Sequence, residues 1–297
     1  MVAPGYVVLA NADAGSHDEE RLGAALQPLH EAGHEVAVHR TEDRSEVDAV
    51  VRALDGRTLV VAGGDGSLHV AVQALHDAGA LGDTPVGLLP LGTGNDFARA
   101  ASIPLDPGDA GRLLVGARAR PTDLVVDDAG VVVVNASHAG MSAAAADRAT
   151  DLKGRLGPAA YPAAAFLEGI GTVGFRATVR ADGQELVGDD DLLMVGVGNG
   201  SSIGGGTPLF PEASLDDGRL EVLVARATGP LARVGFAARL RAGTHTERPD
   251  VVAAPATEVV VEGEPVPHCR DGEVSDPAAR RTYRLHAGAW SVVRPAS

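Results

Sequence analysis

Thr58-Leu59-Val60-Val61-Ala62, running straight into Gly63-Gly64-Asp65-Gly66-Ser67, decides how the rest of this chain is read. A continuous apolar run of this length fits a strand covered on both faces. Ser67–Ala78 then carries a helical pattern. A strand, a glycine turn and a helix form the repeating unit of an open parallel sheet, whose ligands bind beyond the carboxyl ends of the strands. Glycines let backbone approach a ligand, and the N–H groups of a helix start favour an anion. Asp65 is the informative residue, since a carboxylate beside phosphates repels them unless Mg²⁺ lies between. The same five residues also fit a plain strand-to-helix turn capped by an aspartate.

Working outward, Tyr6–Ala10 reads as an apolar strand and Asp18–Ala32 as a helix ending at Gly33. Glu35–His39 alternates as a strand, and Ser45–Leu54 is helical with Ser45 as its N-cap. Val86–Leu89 is another buried strand, and Gly92-Thr93-Gly94-Asn95-Asp96-Phe97-Ala98-Arg99 follows it. That loop suits phosphate or ribose binding, or an Asn/Asp turn capping the next helix. Asn11-Ala12-Asp13-Ala14-Gly15 and Thr41 fall at the ends of the first two strands, so several polar loops converge on one rim.

Past about residue 122 the texture turns to strands: Asp123–Val126, Val131–Asn135, Thr172–Arg180, Leu192–Val197, Arg219–Ala225, Glu258–Glu262 and Thr282–His286. Ser142–Ala149, Ala159–Gly169 and Pro230–Ala242 read as helices there. The expected organisation is an α/β domain over 1–122 and a mainly β domain over 123–297, with the last residues returning to the first. Two local patterns in the second part carry little alone. Val195-Gly196-Val197-Gly198-Asn199-Gly200 imitates a dinucleotide fingerprint with its third glycine misplaced, and Asp271-Gly272-Glu273 fits a hairpin turn.

Composition narrows the function classes. With 297 residues, 45% of them hydrophobic, a sizeable core forms without staples, and the lone Cys269 excludes an internal disulfide. A net charge of −15 argues against nucleic acid and disfavours simple electrostatic docking on anionic lipid. Lys153 is the single lysine and follows no glycine loop, so a Walker-type P-loop is excluded. No stretch approaches the ~20 apolar residues of a bilayer span, and the expectation is a cytoplasmic protein.

In order, these motifs resemble the diacylglycerol kinase catalytic family, which includes bacterial lipid kinases and the sphingosine and ceramide kinases. Gly63–Ser67 is similar to the family's Gly-Gly-Asp-Gly-[Thr/Ser], and Pro90–Arg99 to its Pro-x-Gly-Thr-x-Asn-Asp-[Phe/Leu]-Ala-Arg. Asn135 to Met141 resembles the opening of the family's second domain; Asn199-Gly200, Gly204–Gly206, Pro211, Ala213 and Asp217-Gly218 follow its core. Asp271-Gly272-Glu273 matches the late Asp-Gly-Glu.

The resemblance implies a phosphofructokinase-like N-terminal α/β domain and a C-terminal β-sandwich. It further implies ATP- and Mg²⁺-dependent phosphorylation of a lipid-like acceptor, diacylglycerol first, in phospholipid biosynthesis. Asn11, Thr41, Gly63, Gly64, Asp65, Gly66, Ser67, Leu68, His69, Gly92, Thr93 and Asn95 would line the nucleotide, with Asp65 organising Mg²⁺. Asp271 and Glu273 stand at the proton acceptor's place, and which of them acts is open. Asp217, with the carbonyls of Ser214 and Arg219, would hold a structural Mg²⁺. Ala143–Ala146 and Tyr161–Ile170 are candidate walls for an acyl tail. Transient membrane contact and a homodimer are both compatible with this reading.

Two departures stand out: His69 replaces the family's usual Asn, and the Asn-Pro-x-[Ser/Ala]-Gly opening is loosened to Asn11–Gly15. An NAD kinase shares Gly-Gly-Asp-Gly and is the enzymatic alternative; a weakened nucleotide sensor is the other. Asn95–Arg99 and the late Asp-Gly-Glu favour the lipid kinases.

Overall fold

The computed structural model describes residues 5–12, 16–140, 174–226 and 229–296. The helices expected at Ser142–Ala149 and Ala159–Gly169, both candidate acyl walls, Met141, Lys153 and the Asp13–Gly15 half of the first loop lie outside the described residues. The chain divides into two compact units, Met1–Leu124 with Ala287–Ser297, and Val125–His286.

In the N-terminal unit, strands β1 (Tyr6–Asn11), β2 (Val36–Thr41), β3 (Thr58–Gly63) and β4 (Pro85–Pro90) alternate with helices α1 (Ser16–Glu31), α2 (Arg44–Arg52) and α3 (Asp65–Asp77). All pairings are parallel, in the order β2-β1-β3-β4. Val7, Val8, Leu59, Val60 and Leu89 are buried, as strands covered on both faces require. Each such side chain contributes about 1.5–3 kcal/mol of burial. Parallel register also brings the strand ends together: Asn11 lies beside Thr41 and Gly63 beside Pro90.

Short helices α4 (Asp96–Ala100) and α5 (Pro107–Gly116) complete the unit. The sequence reading passed over α5, whose start is signalled by Asp106-Pro107: the Asp106 carboxylate accepts the Asp109 amide at 3.0 Å. The cap of α2 is Asp43 rather than Ser45. Asp43 Oδ1 accepts the Glu46 amide at 3.1 Å and the Ser45 hydroxyl at 2.7 Å, so the expected cap bonds to the actual one.

The C-terminal unit is built from antiparallel strands. β5 (Ala119–Asp127) enters it and pairs with β6 (Val132–Val133). There follow β7 (Ala136–Gly140), β8 (Phe175–Ala181), β9 (Gln184–Gly198), β10 (Leu220–Arg226), helix α6 (Pro230–Arg241), β11 (Val251–Ala256), β12 (Glu258–Val266), β13 (His268–Arg270), β14 (Glu273–Val274) and β15 (Ala278–Val293). Strand β9 organises the unit: Gln184 to Leu192 pairs with β8, while Met194 to Gly198 lies between β7 and β10. Leu192, Val195 and Val197 feed one core cluster with Val222, Val259 and Tyr283, and Leu193 and Met194 feed a second with Phe210, Phe236 and Leu240. Gly196 and Gly198 of the discounted fingerprint lie in β9, where a Cβ on Gly198 would come within 2.3 Å of the Phe210 ring. Ser291 and Val292, at the end of β15, pair in parallel with Pro85 and Val86 of the N-terminal unit's β4.

Candidate functional site

At the rim of the N-terminal unit the two glycine loops touch each other. A Cβ on Gly92 would fall 2.4 Å from the Gly64 Cα, and one on Gly64 would fall 3.1 Å from the Gly92 Cα. Both positions are therefore glycine because backbone packs on backbone. Asp65 locks the same junction. Its Oδ2 accepts the Asp96 amide at 3.1 Å and its Oδ1 the Phe97 amide at 3.0 Å, so it caps α4 from a different helix. That cap is needed because Asn95, the residue at the N-cap position, has φ +52° and makes no side-chain cap of its own. Instead, Asn95 Nδ2 donates to the Gly92 carbonyl at 2.8 Å. Its Oδ1 is buried and accepts no hydrogen bond. Arg21, on α1, braces the second loop by donating to the carbonyls of Leu91 at 2.7 Å and Pro90 at 3.2 Å.

Gly66 differs from its neighbours. A Cβ there would meet nothing within 4 Å, and its φ is not among the positive ones. The first ladder bond of α3 runs from the Leu68 amide to the Gly64 carbonyl at 3.1 Å, leaving the Gly66 and Ser67 amides ahead of it as helix-start donors with no backbone acceptor among the described residues. Gly66, Ser67, Thr93 and Asn11 are exposed around this opening. The Leu68 side chain is 1% exposed in the core and its amide is used within the helix, so it stands apart from the exposed residues of the rim. The His69 ring is also buried.

In the C-terminal unit the Asp271-Gly272-Glu273 turn separates two residues of different fate. The Asp271 carboxylate accepts three amides: Val134 at 2.7 Å, Asn135 at 2.9 Å and Ala136 at 3.0 Å. Its own amide donates to the Ala136 carbonyl at 2.9 Å, and its φ is +49°. Glu273 is exposed and enters none of the side-chain hydrogen bonds or ion pairs recorded among the described residues. Around them Asn135 Nδ2 donates to the Ser202 carbonyl at 2.6 Å, and Asn199 Nδ2 to the Val134 carbonyl at 2.9 Å. Behind the turn, Tyr283 Oη hydrogen-bonds both Ser137 Oγ and His268 Nδ1 at 2.8 Å. Burial, then Arg281, Arg270 and His138, lowers the His268 pKa to about 4. Burial raises the Cys269 thiol to about 11, so it is no nucleophile at neutral pH.

Residues 5–126 match the diacylglycerol kinase catalytic domain, and residues 135–294 match the YegS C-terminal NAD kinase beta sandwich-like domain. A Pseudomonas aeruginosa protein named "Probable lipid kinase YegS-like" is 35% identical over 276 residues, 88% of this chain and 87% of that one. The chain belongs to the YegS-like lipid kinase family. A Xanthomonas oryzae protein of the same name is 32% identical, across 91% of this chain and 89% of its own. The crystal structure of a diacylglycerol kinase from Bacillus anthracis superposes with a TM-score of 0.74 at 19% identity, covering 98% of this chain and 97% of that one, which shows the common fold. Membership of a kinase family implies the use of ATP, and the family accounts for the mixed α/β and β-sandwich architecture.

Membership also implies a divalent metal, and Asp217 is the carboxylate that the resemblance puts forward for a structural one. Asp217 is exposed in the turn before β10, with Oδ1 accepting the Arg219 amide at 2.9 Å. Burial first, then the charges of Asp217 and Glu212, raises the pKa of Glu221. Negative charge thus accumulates around Asp217, and a carboxylate with carbonyl oxygens is the hard donor set Mg²⁺ prefers. Among the described residues no three His, Cys, Asp or Glu side chains assemble a metal cage. Ser214 directs its hydroxyl to Asp216 Oδ1 at 3.0 Å, leaving its carbonyl as the donor under consideration. Arg21 is the residue that sequence reasoning missed. A lone arginine on a helix carries no local pattern, and its partners lie about 70 residues away.

Proposed function

We propose that this kinase transfers the γ-phosphoryl group of ATP to a hydroxyl of a lipid-like acceptor, with diacylglycerol the leading candidate and Mg²⁺ as the metal. The observation that carries the nucleotide half is Gly66. Gly64 and Gly92 are glycine for the protein's own packing, whereas nothing among the described residues requires a glycine at 66. Space held open at a helix start with unbonded amides is what an incoming phosphate uses. Gly66 and Ser67 would donate to it through their amides, and Thr93 and Asn11 would supply polar contacts at the same rim. Mg²⁺, when bound, neutralises the phosphate charge that builds during transfer. Asp217 and the carbonyls of Ser214 and Arg219 would hold a second, structural ion.

On the acceptor side Glu273 is the better general base. Asp271 spends both oxygens on three amides, while the Glu273 carboxylate is exposed and, among the described residues, unengaged. Glu273 would take the hydroxyl proton as the oxygen attacks phosphorus. Asp65, committed to two amides, acts in this reading by setting the loops rather than by touching the reacting atoms.

Gly66→Ala tests the nucleotide half. Replacing a first-turn glycine with alanine should leave the melting temperature unchanged or raise it, by up to ~1 kcal/mol in stability. ATP should bind at least about tenfold more weakly, measured by calorimetry. Wild-type ATP affinity in Gly66→Ala would overturn the assignment. A screen with labelled ATP and Mg²⁺ against diacylglycerol, a sphingoid base and NAD, with EDTA as control, tests the acceptor half. Label in NAD alone would move the chain to the rival chemistry.

A further inference from the structure

Helix α6 is covered on one side. Phe236 and Leu240 are buried with Leu209, Phe210 and Leu223, and the Phe236 ring meets His245 edge-on with centroids 5.9 Å apart. On the other side Leu231, Val234, Ala238 and Arg241 follow the three- and four-residue spacing of a single helical stripe, and all four are exposed. Leu231 is 90% exposed and Val234 56%, against 38% for Val115 and 42% for Val274, the other exposed large hydrophobics among the described residues. Single exposed leucines are ordinary. Two apolar side chains heading one stripe are a surface.

The charge of the helix points the same way. In a chain of net charge −15, α6 carries Arg233, Arg239 and Arg241 and no acidic residue. Arg239 reaches Glu247 at 3.2 Å, and the helix dipole favours cations in the last turn. Neither effect accounts for Leu231 and Val234 in the first turns. Apolar side chains facing water beside guanidinium groups on long stems suit a helix lying on anionic lipid. The apolar groups enter the acyl boundary while the arginines reach phosphate headgroups. A second copy of this chain fits less well, because a two-fold axis lays Arg241 against the apolar start of the other α6 when the helices run antiparallel, and against its own counterpart when they run parallel.

We propose that α6 docks this kinase on an anionic phospholipid surface, with Leu231 and Val234 inserted and Arg241 at the headgroups. The purpose of such docking rests on the lipid-acceptor reading above, but its test does not use catalysis. Wild type, Leu231→Asp and Arg241→Glu are sedimented without ATP with vesicles of phosphatidylglycerol and phosphatidylcholine, and with phosphatidylcholine alone. Wild type should pellet with the anionic vesicles and be released by salt. Leu231→Asp should bind about tenfold more weakly, and Arg241→Glu several-fold more weakly. Both variants should keep the wild-type melting temperature, as the side chains are exposed.

The proposal fails if wild type stays in the supernatant, if phosphatidylcholine alone serves as well, or if Leu231→Asp binds like wild type. It also fails if wild type proves to be a dimer that Leu231→Asp dissociates without any vesicle binding, which would assign the stripe to a second copy. Turnover of a short-chain acceptor in detergent micelles should be equal in wild type and Leu231→Asp. Vesicle binding without transfer to any acceptor would sink the functional reading and leave the docking surface standing.

Discussion

Asp65 in the N-terminal unit and Asp271 in the C-terminal unit sit in glycine turns of similar sequence, and each spends its carboxylate on backbone amides of a distant segment. Asp65 holds the amides of residues 96 and 97; Asp271 holds those of 134, 135 and 136. The two turns differ in what they leave over. Beyond Asp65 the remainder is backbone: open space at Gly66 and the unbonded amides of a helix start. Beyond Asp271 the remainder is a side chain, the exposed carboxylate of Glu273. The first suits an anion and the second a proton. The aspartates that define both signatures thus build the turns, and the proposed chemistry falls to the neighbouring residues.

The hardest blow to that comparison comes from separating Asp271 from Glu273. Glu273→Gln should lower kcat by roughly 10²- to 10⁴-fold with the melting temperature unchanged, as expected for loss of a general base at an exposed site. Asp271→Asn should behave oppositely. Its amide nitrogen would face at least one backbone N–H that now has a carboxylate oxygen, leaving that donor unsatisfied at a cost of about 1–3 kcal/mol in stability. Thermal melts and turnover on both variants decide it. Normal stability in Asp271→Asn together with normal turnover in Glu273→Gln would reverse the roles drawn here.

A smaller effect comes from the strand that delivers Asp271. His268 lies in β13, is 2% exposed and has a pKa lowered to about 4, chiefly by burial and then by Arg281, Arg270 and His138, with Asp127 opposing. An imidazole in the unfolded chain titrates near ~6.5. Between those values the unfolded chain binds more protons, so this contribution to stability is complete above about pH 6.5 and declines as pH falls towards about 4. Each such group costs at most about 1.4 kcal/mol per pH unit. His138 is lowered to about 4, and burial lowers His245 as well, so His268→Gln should reduce the slope rather than abolish it. Urea midpoints at pH 7 and pH 5 measure this. A slope identical in wild type and His268→Gln would show that the buried ring does not govern the turn.

Much of this was legible in the sequence, and the illegible parts share a cause. The parallel strands announced themselves as unbroken apolar runs, and the glycine loops fell where those runs end. Strand β7, Ala-Ser-His-Ala-Gly, has no apolar alternation, because it is held by pairing to β9 and β13 rather than by its own pattern. Strand β11 contains Pro255, which is tolerable because β11, among the described residues, pairs only with β10 and so stands at an edge. At the site, the motifs pointed to these two turns. They could not show that Gly64 and Gly92 face each other while Gly66 faces open space, since that distinction depends on the approach of loops nearly 30 residues apart in sequence. The choice between Asp271 and Glu273 likewise needed the amides of residues 134 to 136.

The finest test of the comparison is Arg21. If Asp65 alone set the N-terminal loops, the two turns would be pinned by equivalent means and Arg21 would be dispensable. Its guanidinium instead donates to the carbonyls of Leu91 and Pro90, immediately before Gly92, so the second loop is braced from α1 as well. A planar fork with two donors makes that brace, and an ammonium can serve only part of it. Arg21→Met keeps the apolar stem and removes both donors, which should cost about 1 kcal/mol of stability. Because the loop carries Thr93 and Asn95, KM for ATP should rise several-fold while kcat changes less. Arg21→Lys should recover part of the KM and little else. Equal KM values in wild type and Arg21→Met would mean that Asp65 holds the loop unaided. A fall confined to kcat would place Arg21 nearer the transferred phosphoryl group than its bonds to Pro90 and Leu91 suggest.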